Sequence, residues 1–160
     1  MKPKLYLDTS IPSAFFDYSK PVRQLITQKW FELESKNYKL YMSLIGIGEI
    51  EQTSNETKRE NIKKLILDNK IEILELDDKA VKLSQEYIAK GAIPKSEPED
   101  ALHIAIATIN GIELLASWNF KHIVSINPIK KIHEINQKQG YIVIEIGSLE
   151  IYGGAKYGNL

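Results

Sequence analysis

The most informative absence in this sequence is cysteine. None of the 160 residues is a cysteine, which excludes disulfide scaffolds, thiolate metal clusters and cysteine nucleophiles. Excess charge of one sign is also absent, because 21 basic residues balance 21 acidic ones. A neutral chain has no overall attraction for polyanions, so the binding of nucleic acid would require a local positive patch.

Long hydrophobic runs are missing as well. No segment approaches the roughly 18 apolar residues that a membrane-spanning helix needs. The chain reaches Asp8 before any apolar stretch of signal-peptide length. We therefore expect a protein without a membrane span, located in the cytoplasm.

Short apolar segments of strand and helix periodicity are present, and they alternate along the chain. This alternation predicts an α/β fold with a mainly parallel central sheet. A chain of this length forms about one domain. We predict that residues 1–147 form this domain and that residues 148–160 form a C-terminal tail. The pattern leaves open whether the tail is a disordered end or an arm that docks a partner or a second copy.

Some helices can be predicted in more detail. The residues expected to cap helix starts are Ser10, Ser43, Thr53, Asp77 and Ser96. In the first long helix, the apolar positions that share one face are Val22, Leu25, Ile26, Trp30 and Leu33. We expect that face to pack against the core. The helix near Asp100 is apolar almost all round, which predicts that it is buried.

Four polar side chains lie just past predicted strand ends or near helix starts. They are Asp8, Glu49, Asp100 and Asn119. Ligands bind at the carboxyl ends of the strands in parallel sheets, so we expect these side chains to converge there. Carboxylates that share a pocket repel one another unless a cation neutralises them. Oxygen ligands without thiolates favour a hard ion, Mg²⁺ or Mn²⁺, and such a site suits phosphodiester hydrolysis.

Four segments, taken in order, carry a resemblance to a known family. They are Leu7-Asp8-Thr9-Ser10, Ser43 through Gly48-Glu49-Ile50, Glu99-Asp100-Ala101-Leu102-His103-Ile104-Ala105, and Ser117-Trp118-Asn119-Phe120-Lys121-His122. None of the segments is specific alone, whereas the ordered set is a strong signal. In this order they resemble the PIN-domain nucleases, and most closely the VapC-like toxins of toxin–antitoxin pairs.

The resemblance implies a three-layer α/β/α fold and a metal-dependent endoribonuclease that selects single-stranded RNA. Asp8, Glu49 and Asp100 would hold the Mg²⁺ or Mn²⁺ ion. It also implies a homodimer and a small antitoxin whose segment fills the acidic groove. The fourth family position is often Asp, and Asn119 stands there in this chain. An uncharged amide holds a second ion less well, so we favour one tightly held ion and a second recruited by the substrate phosphate.

Neighbouring residues have supporting roles in this prediction. Thr9 or Ser10 would orient Asp8 or add a hydroxyl beside it. His103 lies three residues after Asp100 and shares its helical face. We predict that His103 supports the ligands or is satisfied within the core, because a histidine ligand would require a second histidine or a thiolate nearby.

Two further residues are predicted to contact the substrate. Lys121 and His122 follow Asn119 closely, so their positive charge would lie near the phosphates of a bound RNA. The choice of Glu49 has an alternative in Glu51, two positions further on. We prefer Glu49 because its apolar neighbours indicate a partly buried setting and because the family pattern falls there.

The alternative function is a non-catalytic PIN-like module that binds RNA or protein, because Asn119 stands where the family often has an acid. A phospho-acceptor receiver domain is disfavoured, because Asp8 stands alone after the first strand. The sequence motifs of serine hydrolases and of P-loop nucleoside triphosphatases are absent.

Overall fold

The computed structural model describes residues 1–153, in which five strands alternate with eight α-helices. The strands are β1 (Lys4–Leu7), β2 (Lys39–Ser43), β3 (Glu72–Leu74), β4 (Leu114–Ala116) and β5 (Glu145–Gly147). The helices are α1 (Ser10–Ala14), α2 (Pro21–Leu33), α3 (Leu44–Glu51), α4 (Glu56–Asp68), α5 (Asp78–Ala89), α6 (Pro98–Ile109), α7 (Ile126–Lys138) and α8 (Leu149–Gly153). The predicted α/β class is confirmed.

The five strands form one sheet in the order β3-β2-β1-β4-β5, and every pairing is parallel. The chain adds β2 and β3 on one side of β1 and then returns to add β4 and β5 on the other. Leu7, the last residue of β1, lies opposite Ala116 of β4. The strand order reverses at this crevice, which is where open parallel sheets bind ligands. Asp8 and Ser117, the next residues along each strand, therefore lie side by side.

Helices cover both faces of the sheet, so the predicted three layers are confirmed. Helices α5, α6 and α7 pack on one face through a cluster that includes Leu83, Ile104 and Ile132. Helices α1, α2, α4 and α8 pack on the other through a cluster that includes Trp30 and Ile62. Helix α6 is buried on most of its surface, as predicted, since seven of its 12 residues are buried.

Helix α2 buries a face that overlaps the predicted one only in part, since Trp30 is buried and Ile26 packs against the core. Val22, Leu25 and Leu33 are exposed. The buried residues of α2 are Gln24, Thr27, Trp30 and Phe31. The indole N–H of Trp118 donates to the Thr27 hydroxyl at 3.0 Å, and Gln24 donates to the carbonyl of Phe15. These polar groups can be buried because they have hydrogen-bond partners from other segments, which the periodicity of α2 does not contain.

Asp77 forms its predicted helix cap, whereas Ser43 precedes α3 as predicted but makes no side-chain cap bond. The side chain of Asp77 accepts a hydrogen bond from the backbone N–H of Ala80, as expected for a cap. The other three predicted caps are wrong. Helix α4 is capped by Asn55 and not by Thr53. Helix α6 begins after Glu97 without a side-chain cap, so the box at Ser96 does not form. Ser10 lies inside α1. Each of these helices nevertheless begins within one or two residues of the predicted position.

Part of the predicted C-terminal tail is packed on the domain. Leu149 and Tyr152 of α8 are buried, and the hydroxyl of Tyr152 donates to the carbonyl of Leu115 at 3.0 Å. Residues 154–160 lie outside the described residues, and the domain boundary at residue 147 stays a prediction. None of the helices in residues 1–153 combines the length and apolar character needed to cross a membrane.

Candidate active site

Seven side chains singled out in the sequence line one cleft at the crevice between β1 and β4. The volume of the cleft is about 270 Å³. Its lining residues are Asp8, Thr9, Ser10, Ser13, Glu49, Asp100, His103 and Asn119. Ser13 is the lining residue that the sequence analysis does not include. The cleft thus collects side chains from α1, α3, α6 and the segment after β4.

Asp8 follows β1 and is almost completely buried, with 4% of its surface exposed. Its Oδ1 accepts hydrogen bonds from the backbone N–H of Ser10 at 3.0 Å and from the Ser10 hydroxyl at 2.5 Å. Its Oδ2 accepts a hydrogen bond from Ser117. Burial raises the pKa of Asp8 above its ordinary value, although the charge of His103 and the two hydroxyls act in the opposite direction. Both carboxylate oxygens are therefore held in fixed positions.

Glu49 lies on α3 and is held by two side chains. Its Oε1 lies 2.5 Å from Nε2 of His103 and accepts a hydrogen bond from the Thr9 hydroxyl at 3.0 Å. Burial raises the pKa of Glu49, but the hydrogen bond and charge of His103 outweigh it, so the pKa lies below its ordinary value. Glu49 is therefore ionised at neutral pH. Of the two hydroxyls considered in the sequence, Ser10 contacts Asp8 and Thr9 contacts Glu49.

His103 of α6 is 2% exposed, and both of its ring nitrogens have partners. Nε2 faces Glu49, while Nδ1 lies 2.6 Å from the hydroxyl of Tyr6. The Tyr6 hydroxyl also donates to Oγ of Ser43 at 2.8 Å. A carboxylate can only accept, so the hydrogen of this contact is carried by Nε2 of His103. Burial lowers the pKa of His103, but Glu49 and Asp8 raise it above its ordinary value.

A glycine allows α3 to come this close. A Cβ atom at Gly46 would lie 2.9 Å from the methyl group of Met42 and 3.3 Å from the hydroxyl of Thr9. The same atom would lie 3.7 Å from Cε1 of His103. The missing side chain therefore lets the helix that carries Glu49 pack directly against the other residues of the cleft.

Asp100 lies in the first turn of α6, and 16% of its side chain is exposed. Its Oδ2 accepts a hydrogen bond from the amide nitrogen of Asn119 at 3.1 Å. Burial and the negative charge of Asp8 raise the pKa of Asp100 to about 6. The mutual repulsion of these carboxylates favours a cation between them.

Asn119 uses both ends of its amide within the protein. Its nitrogen donates to Asp100, and its oxygen accepts from the backbone N–H of His122 at 2.9 Å. The ring of His122 lies beside the same carboxylate, with Nδ1 3.5 Å from Oδ2 of Asp100 and 3.9 Å from Oε1 of Glu97. Asn119 therefore orients Asp100 and closes the turn that carries His122.

The donor set fits a hard divalent ion. Oε2 of Glu49 and Oδ1 of Asp100 accept no hydrogen bond from any residue in the described part of the chain, so each offers a free carboxylate oxygen. Asp8, Glu49 and Asp100 share the cleft, but their oxygens do not all lie within 4.8 Å of one another. Among residues 1–153, the group that meets this spacing is Glu97, Asp100 and His122. Mg²⁺ retains several of its waters, so water can bridge the wider gaps.

Lys121 and His122, predicted to contact substrate, do not line the cleft. They line a neighbouring cavity of about 350 Å³, together with Lys95. Lys121 is exposed, whereas His122 is partly buried and reaches Asp100. Both residues therefore lie outside the cleft, and only His122 contacts one of its carboxylates.

Three supporting residues were not predicted from the sequence, namely Tyr6, Ser43 and Ser117. Tyr6 lies between Leu5 and Leu7 in an apolar strand, and nothing local distinguishes its hydroxyl from that of a core tyrosine. The two serines do carry a signal. Ser43 ends β2 and Ser117 directly follows β4, which is the position that Asp8 occupies after β1. A hydroxyl residue at the carboxyl end of a parallel strand is a candidate for the ligand edge.

A family model described as PIN domain matches residues 5–120, a span that includes every side chain of the cleft. Comparison with curated proteins gives no significant sequence match.

Two solved structures share the fold. VapC20 of Mycobacterium tuberculosis, described as a sarcin-ricin loop cleaving toxin, has a TM-score of 0.57 at 11% identity, covering 89% of this chain and 99% of that chain. VapBC2 from Rickettsia felis, bound to a DNA fragment from their promoter, has a TM-score of 0.57 at 19% identity, covering 89% of this chain and 97% of that chain. At such identities, the similarity is one of fold.

Proposed function

Because this chain belongs to the PIN domain family, we propose that it is a metal-dependent endoribonuclease that hydrolyses phosphodiester bonds in RNA. The observation that carries the proposal is the convergence of Asp8, Glu49 and Asp100 in one cleft at the reversal of strand order. Asp8 and Glu49 are held by hydrogen bonds, and Asp100 has an elevated pKa that a cation would lower. Such a set is suited to binding Mg²⁺ or Mn²⁺.

Each residue of the cleft has a separate task in this proposal. Asp8, Glu49 and Asp100 would hold the ion, which when bound supplies the lowered water pKa and the positive charge that phosphodiester hydrolysis needs. His103 holds Glu49 through Oε1 and leaves Oε2 for the ion. Asn119 holds Asp100 through Oδ2 and leaves Oδ1 for the ion.

The position of Asn119 supports one tightly held ion. Its amide nitrogen faces Asp100, and its oxygen closes the turn to His122, so the side chain adds no charge to the cleft. A second ion would then depend on oxygen ligands that the substrate phosphate brings with it. Phosphodiester hydrolysis would then proceed with one resident ion, and Asn119 would orient Asp100.

RNA would approach from the side of Lys121 and His122. These residues border a cavity that also contains Lys95, and phosphate contacts from such side chains position a nucleic acid without reading its sequence. The description of the fold neighbour VapC20 as a sarcin-ricin loop cleaving toxin supports RNA as the substrate class.

We further propose that the protein is the toxin of a toxin–antitoxin pair. A small antitoxin would occupy the acidic cleft, and a second copy of the chain would complete a homodimer in the cytoplasm. The similarity of fold to VapBC2 from Rickettsia felis supports an antitoxin as partner. Size-exclusion chromatography with light scattering, on the protein alone, would measure a mass near twice 18.3 kDa. A monomer at all concentrations would contradict the dimer.

A cleavage assay on a pool of structured and single-stranded RNAs tests the enzymatic proposal. We expect cleavage with Mg²⁺ or Mn²⁺ and none with EDTA. Asp100→Asn should abolish the cleavage, whereas Glu99→Gln should retain it, because Glu99 is an exposed neighbour with the same charge. Equal activity of native protein and Asp100→Asn would show that the site is wrong.

The second candidate function is a PIN-like module that binds RNA or protein without cleavage. The observation that favours it is the amide nitrogen of Asn119, a donor at a position where an acid would add a ligand. Calorimetry with Mn²⁺ and an RNA-binding assay in EDTA distinguish the two. Absence of metal binding together with retained RNA affinity would support the module.

A further inference from the structure

We propose that Tyr6 is a positioning residue for the metal site: its hydroxyl, held by Ser43, sets the orientation of the His103 ring, which in turn fixes Glu49. This inference rests on the proposed function and adds to it. Tyr6 touches neither substrate nor ion in this assignment. It acts through two intervening hydrogen bonds, and its effect should therefore appear as a change in the affinity of the cleft for a divalent ion.

The hydroxyl of Tyr6 is placed by the strand that carries it. Tyr6 lies in the middle of β1, where the alternation of side chains sends it to the sheet face opposite Leu5 and Leu7. Its ring packs in the core against α6 and meets the ring of His103 edge to face, with 5.7 Å between centroids. The aromatic ring alone would fill this space, so the hydroxyl requires a separate explanation.

That hydroxyl is part of a continuous chain of hydrogen bonds. It donates to Ser43 at 2.8 Å, and it lies 2.6 Å from Nδ1 of His103. The other ring nitrogen, Nε2, lies 2.5 Å from Oε1 of Glu49. Since His103 is 2% exposed, no solvent reaches Nδ1 to replace the tyrosine. The rotation of the ring is thus defined at both nitrogens, by a core residue on one side and a candidate ligand on the other.

The consequence falls on Glu49. With Oε1 occupied by His103 and Thr9, the carboxylate can turn only Oε2 towards the cleft. Removing the Tyr6 hydroxyl would release one end of the ring and allow Glu49 to rotate. Residues that orient the ligands of metal sites typically contribute about 10-fold to 100-fold in metal affinity or activity.

The protein contains a matched control in Tyr87. Like Tyr6, this tyrosine is fully buried, and its hydroxyl has two side-chain partners, Asn136 at 2.6 Å and Thr108 at 3.4 Å. None of these partners lines the cleft. Tyr87→Phe therefore removes a buried hydroxyl with a purely structural role, whereas Tyr6→Phe removes one that is connected to Glu49.

The test measures Mn²⁺ binding by calorimetry on the native protein, Tyr6→Phe and Tyr87→Phe. We expect both variants to melt about 2–4 °C below the native protein, since each loses a buried hydrogen bond. Tyr6→Phe should bind Mn²⁺ about 10-fold more weakly, while Tyr87→Phe should bind it as the native protein does. Ser43→Ala removes only the hydroxyl that accepts a hydrogen bond from Tyr6, so it should weaken Mn²⁺ binding less than Tyr6→Phe does.

A spectroscopic measurement reports the same contact without the metal. The chain has three histidines, so the ring nitrogens of His103 can be assigned by NMR. We expect the Nδ1 resonance of His103 to shift in Tyr6→Phe and to stay in place in Tyr87→Phe. Native Mn²⁺ affinity in Tyr6→Phe, or an equal loss in both variants, would overturn the positioning role while leaving the proposed nuclease intact. A native protein that binds no Mn²⁺ would overturn both.

Discussion

The two ends of the cleft hold their carboxylates in different ways. At the end of the cleft that includes the strand-end residue Asp8, the inner end, Asp8 and Glu49 each accept hydrogen bonds from two side chains. At the outer end, Asp100 accepts one hydrogen bond, from Asn119, and shares its surroundings with the acid Glu97. The inner carboxylates are therefore positioned by the protein itself, whereas the outer one has few donors.

This difference separates two ways of preparing a metal site. Hydroxyl and imidazole donors fix the inner oxygens before any ion arrives, which lowers the reorganisation that binding requires. Asp100 remains under the repulsion of Asp8, and burial together with that charge raises its pKa to about 6. A cation relieves this repulsion, so the outer end should respond most strongly to metal. The following variants test each end in turn.

Apart from the loss of cleavage in Asp100→Asn, the largest expected effect is that of Glu49→Gln at the inner end. We expect cleavage to fall by more than about 100-fold, because the amide nitrogen would face the ion in place of a free carboxylate oxygen. Glu51→Gln is the matched control, since Glu51 is exposed and paired with Lys63. Initial rates of RNA cleavage in Mn²⁺ measure both. The reverse result would identify Glu51 as the active acid.

A smaller loss is expected when a donor to Asp8 is removed. Ser117→Ala deletes the hydroxyl that bonds Oδ2, so we expect about 10-fold slower cleavage. Ser84→Ala is the control, because Ser84 is also buried and bonds the carbonyl of Val81 far from the cleft. Each variant should lose about 1 kcal/mol of stability. If the two variants cleave equally well, the inner end does not depend on this hydrogen bond.

At the outer end, the expected effect is on stability and depends on pH. The pKa of Asp100 is raised from an ordinary 3.8 to about 6, so ionisation of this group costs the folded state stability as the pH rises from about 4 to about 6. Without metal, Asp100→Asn should therefore be more stable than the native protein at pH 7, by about 3 kcal/mol, and nearly equally stable near pH 4. Urea unfolding at both pH values measures this.

Saturating Mn²⁺ should reverse that order. An ion present at about 1,000 times its dissociation constant stabilises the native protein by about 4.1 kcal/mol and should leave Asp100→Asn largely unaffected. If Asp100→Asn is less stable than the native protein in EDTA at pH 7, the ionised Asp100 carboxylate does not destabilise the fold.

The smallest effect is expected outside the cleft. Lys121→Ala removes an exposed charge that lines the neighbouring cavity, so we expect a higher KM for RNA, an unchanged kcat and a salt dependence weaker by about one phosphate contact. Lys64→Ala is the control, because Lys64 is exposed and paired with Asp68 on α4. A change in kcat without a change in KM would place Lys121 in the chemistry rather than in binding.

The sequence was sufficient to predict the parallel sheet and seven of the eight residues that line the cleft. Asp8 and Asn119 could be placed together because each follows a strand, and the carboxyl ends of parallel strands share one edge. The packing of α2 could not be predicted in the same way. Its buried residues include Thr27, whose burial depends on a hydrogen bond from Trp118, 91 positions away in the chain.

For the residues that hold the carboxylates, too, one part was determined by the sequence and another by the tertiary structure. The sequence alone determined which residue types follow each strand, because strand ends and helix starts are set by local periodicity and polar residues. Only the tertiary structure decided that Ser117 bonds Asp8 and that Tyr6 stands behind His103. The first contact exists because β4 returns to the free side of β1, and the second because α6 packs on the sheet face to which Tyr6 points. Hydrogen bonds act over about 3 Å, so they depend on strand order and helix packing that no local pattern specifies.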